Sequence, residues 1–527
     1  MINEKELKKE KDYLKAVLYV LDKEIEKANV KIDDYAKDIK RDLKYAWDPD
    51  NVADLNYWSI NMMNVEVQSI VAINSTSKVR SYLRMIKSAY FARIDFETEG
   101  DNFPIYIGIA TLDDGTDFYV YDWRSPIASM FYDYELGEAS YTTPDGNVIK
   151  GKITLKRQYK IEGEEIVQIF DTDMQVIDDV LKQMLSGKAS DKMKNIVNTI
   201  QKEQNRVIRK NDVDILVVQG PAGSGKTSVA MHKIAYLLYA ERSKINNSNI
   251  LIISPNDIFS NYISNVLPEI GEDNVYQTTF MDFIKSHVDF KIKGTMNDLY
   301  ETFYSENIND KPHTLGYNSI MLKFGATYIN LIENFINLKR NEILGITDII
   351  SDGKVLIEKA YLEKLASELE ESGISIYAQG RKLVEKIGLH ATIKLGAKNA
   401  GAVAKIKKAL SANLEKIKVK NIFIDLYSDE DRFIKLVEEI YNTTGTPLQN
   451  RLSIKELHDI FTNTQNMLLK NTIPFEDVSG YMYMKDRIHG CANQNQIKYL
   501  VVDEAQDYTI MQYKILAHLF RNAKITI

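Results

Sequence analysis

An eight-residue glycine-rich stretch, Gly220-Pro221-Ala222-Gly223-Ser224-Gly225-Lys226-Thr227, restricts the fold of this 527-residue chain more than any other segment. It fits G-x-x-x-x-G-K-[ST], a loop whose backbone N–H groups cradle phosphates. Such a loop works between a strand and a helix N-terminus, where the helix dipole adds positive potential. The sequence offers both flanks. The apolar run Asp214-Ile215-Leu216-Val217-Val218-Gln219 predicts the strand, and Ser228 to Leu238 reads as a helix. In that setting Lys226 is expected to neutralise the β- and γ-phosphates of a nucleotide and the Thr227 hydroxyl to ligate Mg²⁺.

A nucleoside triphosphatase also needs a carboxylate for that metal on a neighbouring strand. The chain supplies one far downstream. The apolar run Ile497-Lys498-Tyr499-Leu500-Val501-Val502 ends in Asp503-Glu504-Ala505-Gln506-Asp507. Asp503 is expected to hold Mg²⁺, Glu504 to orient and deprotonate the attacking water, and Gln506 to sense the γ-phosphate. The catalytic expectation is therefore Lys226, Asp503, Glu504 and Gln506.

Bulk properties narrow the class. No run of eighteen apolar residues exists, so no membrane span is expected. The charged N-terminus Met1-Ile2-Asn3-Glu4-Lys5-Glu6-Leu7 lacks the apolar core of a secretion signal. Cys491 is the single cysteine, which excludes an intrachain disulfide and fits a reducing cytoplasm. The seven histidines show no metal-ligand spacing. A net charge of −7 argues against a dedicated duplex-DNA binder, although a local groove can still be positive.

Along the chain, Leu7, Leu14, Leu21, Ala28 and Tyr35 form one seven-residue series. Leu18, Ile25, Ile32, Ile39 and Ala46 form a second, offset by four. This 3-4 spacing predicts a long coiled-coil helix that ends at Trp47-Asp48-Pro49-Asp50. A second helical pattern over Ala53 to Lys87, with Met62, Val65, Val67, Ile70, Val71, Ile73, Leu83 and Ile86, completes an antiparallel hairpin. An ordinary helical edge of a globular domain is the competing reading. Residues 88–175 read as β-rich, with hairpin turns at Asp113-Asp114-Gly115 and Asp145-Gly146. Asn249 to Ser254 predicts another buried parallel strand. From about 296 to 480 the alternation of strand and helix lapses into mostly helical sequence. Its Arg381–Lys420 stretch holds eleven Lys/Arg against Glu385 and Glu415, a local net of +9. That stretch is either a solvated helical face or a contact for phosphates or an acidic protein surface.

The residues ahead of the glycine loop, Ile200-Gln201-Lys202-Glu203-Gln204-Asn205-Arg206-Val207-Ile208, resemble the adenine-reading glutamine motif of superfamily 1 helicases of the UvrD/Rep/PcrA type. A glutamine amide can accept from N6 and donate to N7 of adenine together. On that resemblance the nucleotide-binding residues are Gln204, Gly220, Pro221, Ala222, Gly223, Ser224, Gly225, Lys226 and Thr227. Ser254-Pro255-Asn256 departs from the Thr-Asn-Lys-Ala form of that family's first strand-contacting loop, which puts strand binding in doubt.

Three further segments resemble a narrower group. They are Tyr90-Phe91-Ala92-Arg93-Ile94-Asp95-Phe96, then Asp122-Trp123-Arg124-Ser125-Pro126-Ile127 with Phe131-Tyr132, then Ser254-Pro255-Asn256 through Phe259, Tyr262 and Val266-Leu267-Pro268-Glu269-Ile270-Gly271-Glu272. With the N-terminal hairpin they resemble the HelD family of bacterial RNA polymerase-associated ATPases. The resemblance implies a P-loop NTPase (RecA-like) α/β fold with a hairpin of residues 1–87 and a β-rich segment of 88–175. The ATPase lobe would span 176–295 and 481–527, around a helical inserted domain of 296–480. It implies a factor that binds RNA polymerase and releases it from nucleic acid, with the hairpin in the secondary channel and Asp48, Asp50 and Asp54 near the polymerase Mg²⁺. Those aspartates also suit a plain turn. A DNA helicase translocating on single strands in repair is the alternative, and DNA or RNA is then a partner. The family's Gly-Asp-x-x-Gln motif and second lobe are expected to follow Ala523-Lys524-Ile525-Thr526-Ile527, so the chain reads as a fragment that binds ATP weakly and hydrolyses it slowly or not at all.

Overall fold

The computed structural model describes residues 4–47, 55–171, 202–221, 223–256, 266–307, 314–351, 354–370, 374–395, 404, 407–408, 411, 414–415, 417–490 and 496–527. The hairpin-turn aspartates Asp48, Asp50 and Asp54, loop residue Ala222, Phe259, Tyr262 and Cys491 lie outside them, as do Lys398, Lys405 and Lys416 of the basic stretch. Two compact units result. The first comprises Met1–Ile252, Asn256–Gln277 and Lys524–Ile527, the second Ile253–Pro255 and Thr278–Ala523. The architecture is mixed α/β with parallel strand pairs.

In the first unit, helix α1 spans Glu4–Ala46 and α2 spans Leu55–Lys87. Neither interior contains proline or glycine, so nothing interrupts the hydrogen-bond ladder. They run antiparallel. Gln68 donates to Asp42 at 3.0 Å, and Lys78 pairs with Glu24 at 3.9 Å. Leu14, Leu21, Ala28 and Ala46 of the two heptad series are buried, and their other members are half-buried. On α2 the pattern is different. Val67, Ile70, Ile73 and Leu83 are exposed, because an arm two helices thick covers only one side of each.

The seven-stranded sheet below the arm comprises β1 (Ala92–Thr98), β2 (Asp101–Gly108), β3 (Leu112–Asp113), β4 (Phe118–Asp122), β5 (Gly137–Thr142), β6 (Val148–Glu162) and β7 (Glu165–Asp171). The order is β3-β4-β2-β1-β6-β5, with β7 also on β6. Gly146 takes φ 89° in the β5–β6 turn, a region that glycine enters without strain. The turn at Asp113-Asp114-Gly115 forms as well, closed by Thr116 and Asp117 N–H donating to the Asp114 carboxylate at 2.9 Å. It joins only the short β3 to β4. The long apolar run before it instead lies parallel to β4, with Ile107 opposite Tyr121. Leu14, Val17 and Leu21 of α1 and Tyr82 and Met85 of α2 share one core with Tyr90, Tyr106, Val120, Tyr159 and Ile161 of the sheet and its approach. Burial of each such side chain contributes about 1.5–3 kcal/mol.

A single carboxylate fixes the root of α1. Glu10, 2% exposed, accepts from Arg93 Nη1 at 2.8 Å, Arg157 Nη1 at 2.9 Å, Tyr106 Oη at 3.0 Å and Tyr159 Oη at 2.9 Å. Burial first, and the Glu10 charge next, push the Tyr159 hydroxyl well above its usual range.

Also in this unit are α3 (Pro126–Asp133), α4 (Lys202–Arg209), α5 (Lys226–Ala240), β8 (Ile215–Leu216), most of β9 (Ile250–Ser254) and β16 (Lys524–Thr526). β9 is fully buried. β8 is shorter and more exposed than its apolar sequence predicts, with Ile215 and Val217 at 60% and 67%. Among the described residues only alternate side chains are covered, as on a strand at the end of its sheet. β16 pairs with it in parallel, Ile525 opposite Ile215, and Val218 N–H donates to the Ile527 carbonyl at 2.8 Å.

The second unit is mostly helical. Two small strand pairs interrupt it that the sequence pattern did not reveal. One is parallel, β11 (Lys291–Lys293) with β14 (Thr472–Pro474), and one antiparallel, β12 (Ile349–Ser351) with β13 (Lys354–Ile357). At its centre Lys323 donates to Asp477 at 2.5 Å and to Thr464 at 2.9 Å. Tyr328 and Tyr427 donate to the other Asp477 oxygen at 2.6 and 3.1 Å. Burial raises the Asp477 carboxyl above its usual range, against the pull of Lys323. Strand β15 (Tyr499–Val502), fully buried, ends in this unit, followed by α16 (Ile510–Leu519).

Candidate functional site

The Gly220–Thr227 loop leads into α5. Gly223 and Gly225 take φ 79° and 81°, and Gly225 is the N-cap of α5. Only glycine enters that region cheaply. A Cβ on Gly220 would meet Ser224 Oγ at 2.6 Å, so a side chain there would force Ser224 to turn. Ser224 N–H closes onto the Pro221 carbonyl at 3.2 Å. Lys226 is folded against its own loop, its Nζ donating to the carbonyls of Gly220 at 3.1 Å and Pro221 at 3.2 Å. Thr227 is the second residue of α5. Gln204, on α4, donates from Nε2 to the Ser224 carbonyl at 3.3 Å, so the glutamine and the loop meet directly. Neutral carbonyls hold an ammonium less strongly than phosphate oxygens would, which leaves Lys226 free to exchange partners.

In the second unit, Asp503 follows β15 and is 8% exposed. Its N–H donates to the Ile253 carbonyl at 3.0 Å, and its carboxylate accepts from Glu504 N–H at 3.1 Å. Glu504 adopts φ 48°, ψ 48°, left-handed backbone that is costly for a residue with a Cβ. Gln506 Nε2 donates to its carboxylate at 2.5 Å. Burial, then the Glu504 charge, raises the Asp507 carboxyl. Hard oxygen donors of this kind suit Mg²⁺.

Described residues of the three segments that mark the narrower resemblance make structural contacts. Arg93 belongs to the Glu10 clamp. Arg124, 5% exposed, pairs with Asp122 at 2.5 Å and with Glu272, and Nη1 also donates to the Ala235 carbonyl of α5 at 3.4 Å. A Cβ on Gly271 would stand 2.7 Å from the Ile109 carbonyl. Arg124 thus joins the second segment to Glu272 of the third and reaches the helix that follows the glycine loop. Trp123 is fully buried and edge-on to His232 of α5, ring centroids 5.4 Å apart. Sequence reading gave His232 no role, since nothing local names its partner.

His232 Nδ1 donates to the Ser228 carbonyl at 2.7 Å, and burial pulls its pKa from 6.5 to about 4. Between those values the unfolded chain binds the extra proton and the folded chain does not. The contribution of this residue is thus complete above pH 6.5 and is lost as pH falls toward 4, by about 2–3 kcal/mol. In urea titrations, the stability difference between wild type and His232→Phe is expected to shift by that amount over this window. An equal acid loss in both proteins would show that other groups govern it.

Residues 200–527 match the family described as UvrD/REP helicase N-terminal domain, and residues 7–185 match DNA helicase IV HelD, N-terminal domain. No curated protein matches the chain. Among the described residues no helix is long and apolar enough to cross a membrane. A glycine loop at the head of α5, an acidic turn after β15 and family matches over both regions lead to one assignment: the chain belongs to the UvrD/REP helicase family and is HelD-like.

Proposed function

We propose that this protein is an ATP-dependent factor that binds RNA polymerase and helps to release it from nucleic acid. The observation that carries the reading is the joint match to the HelD N-terminal domain and the UvrD/REP domain. The form of the first unit supports it. A 43-residue helix and a 33-residue helix make a long arm rooted by the Glu10 clamp, suited as a coiled-coil hairpin to entering a channel.

In this reading Gln204 reads adenine, the loop residues Gly220, Pro221, Ala222, Gly223, Ser224 and Gly225 cradle the phosphates, and Lys226 leaves its loop carbonyls to neutralise them. Thr227 and Asp503 are the residues that would hold Mg²⁺, which when bound offsets charge on the β- and γ-phosphates. Glu504 orients the attacking water and takes its proton. Gln506 steadies Glu504 and responds to the γ-phosphate.

A second reading, a DNA helicase translocating on single strands, draws on the match to the N-terminal domain of DNA helicase IV HelD. The two separate in one experiment. Stalled polymerase on immobilised DNA is challenged with the protein and ATP, and a tailed duplex is challenged in parallel. Polymerase set free with the duplex intact supports the proposal. Unwinding, with polymerase neither bound nor freed, would replace it with the second reading.

A further inference from the structure

Over its described residues, Lys202–Arg209, helix α4 runs for eight residues, and tertiary contacts hold its direction. It packs on α5, and the Trp123–Arg124 segment and α3 of the N-terminal module add its polar anchors. Arg209 Nη1 donates to the Arg124 carbonyl at 2.9 Å and Nη2 to the Trp123 carbonyl at 2.9 Å. Its third donor, Nε, reaches Asn205 Oδ1 at 3.1 Å. Asn205, fully buried, donates from Nδ2 to Asp133 of α3 at 2.7 Å. The Arg209 guanidinium also lies 5.1 Å from the Tyr236 ring of α5. A planar fork on two consecutive carbonyls fixes rotation as well as position, which one hydrogen bond cannot do. Gln204 is the residue next to Asn205 on the same helix.

We propose that Asn205 and Arg209 are positioning residues through which the Trp123–Arg124 segment and Asp133 hold the amide of Gln204 in register with a purine base, and so set the preference for adenine. The inference rests on the reading of Gln204 as the adenine contact. A glutamine makes two bonds to adenine only when its amide plane is aligned with the base edge, whereas the phosphates are held by the backbone of a loop that α4 touches through Gln204. Loosening α4 should therefore cost ATP its advantage over GTP and leave the shared triphosphate contribution in place. The arrangement also makes the module that roots α1 and α2 part of the nucleotide-reading apparatus.

The test is titration of the chain with fluorescent ATP and GTP analogues in Mg²⁺. Wild type is expected to prefer ATP. Arg209→Ala should lower the ATP-to-GTP affinity ratio about tenfold, the effect of about one base hydrogen bond, with GTP affinity unchanged within about twofold. Arg209→Lys, which keeps the charge and loses the fork, should fall between and guards against a misfolded alanine variant. The Gln204→Ala/Arg209→Ala pair should be no worse than Gln204→Ala alone. Parallel loss of ATP and GTP in the Arg209 variants would overturn the inference and leave only a structural role. An unchanged ratio in them, with the ratio lost in Gln204→Ala, would also overturn it while sparing the reading of Gln204. No preference in wild type would remove that reading and the inference with it.

Discussion

Glu10→Ala is expected to lower the stability of the first unit by about 3–5 kcal/mol, the cost of removing one partner from a buried ion pair. The variant leaves two guanidiniums and two tyrosine hydroxyls without their shared acceptor. Arg93 and Arg157 keep Asp95 and Asp171, at 2.6 and 2.5 Å, so neither charge is abandoned altogether. The tyrosine hydroxyls lose the acceptor of their protons, although Tyr106 Oη still accepts from Arg93 at 3.0 Å, and Tyr159 is 3% exposed. Glu10→Gln keeps an oxygen for them and should recover part of the loss. Urea unfolding followed by circular dichroism measures both. A loss below about 1 kcal/mol for alanine would show that the arginine–aspartate pairs alone root α1.

Lys226→Ala should weaken ATP binding at least about 100-fold, because it removes charge-assisted bonds worth about 1.5–3 kcal/mol each. The fold should not suffer, since the side chain holds only two carbonyls of its own loop. Under the proposed function the variant still binds RNA polymerase but no longer responds to ATP. Loss of polymerase binding by a folded Lys226→Ala protein would count against a separate arm and motor. The complementary variant must spare the root of the arm. Removing residues 1–87 would strip Glu10, Leu14, Val17, Leu21, Tyr82 and Met85 from the sheet's core. Replacing residues 29–74 by a short Gly-Ser linker leaves those in place. It should abolish polymerase binding with ATP affinity unchanged.

The local backbone of both candidate segments was legible because its signals are local. The glycines at 223 and 225 sit where positive φ is required, and spacing alone marks them. Strand β15 and the acidic turn after it follow from a short apolar run and its polar end. The α1 heptads predicted a helix that extends from Glu4 to Ala46. Asn205 and Arg209, four apart on one helix, gave no comparable signal. Their partners Asp133, Trp123 and Arg124 stand more than seventy residues away in sequence.

Taken alone, the sequence determined the long helices of the arm, the glycine turns and the buried strands β9 and β15, because φ preference, helical period and apolar runs act within a few positions. It also marked the two candidate segments, a glycine loop ahead of a helix and an acidic strand end. Tertiary structure alone decided that β2 lies parallel to β4 instead of folding back on it. It decided that Glu10 is the root of the arm and that Trp123 and Arg124 lend their carbonyls to the helix carrying Gln204. Those outcomes depend on which distant groups share a desolvated space, where an unpaired charge or carbonyl is costly enough to select its partner.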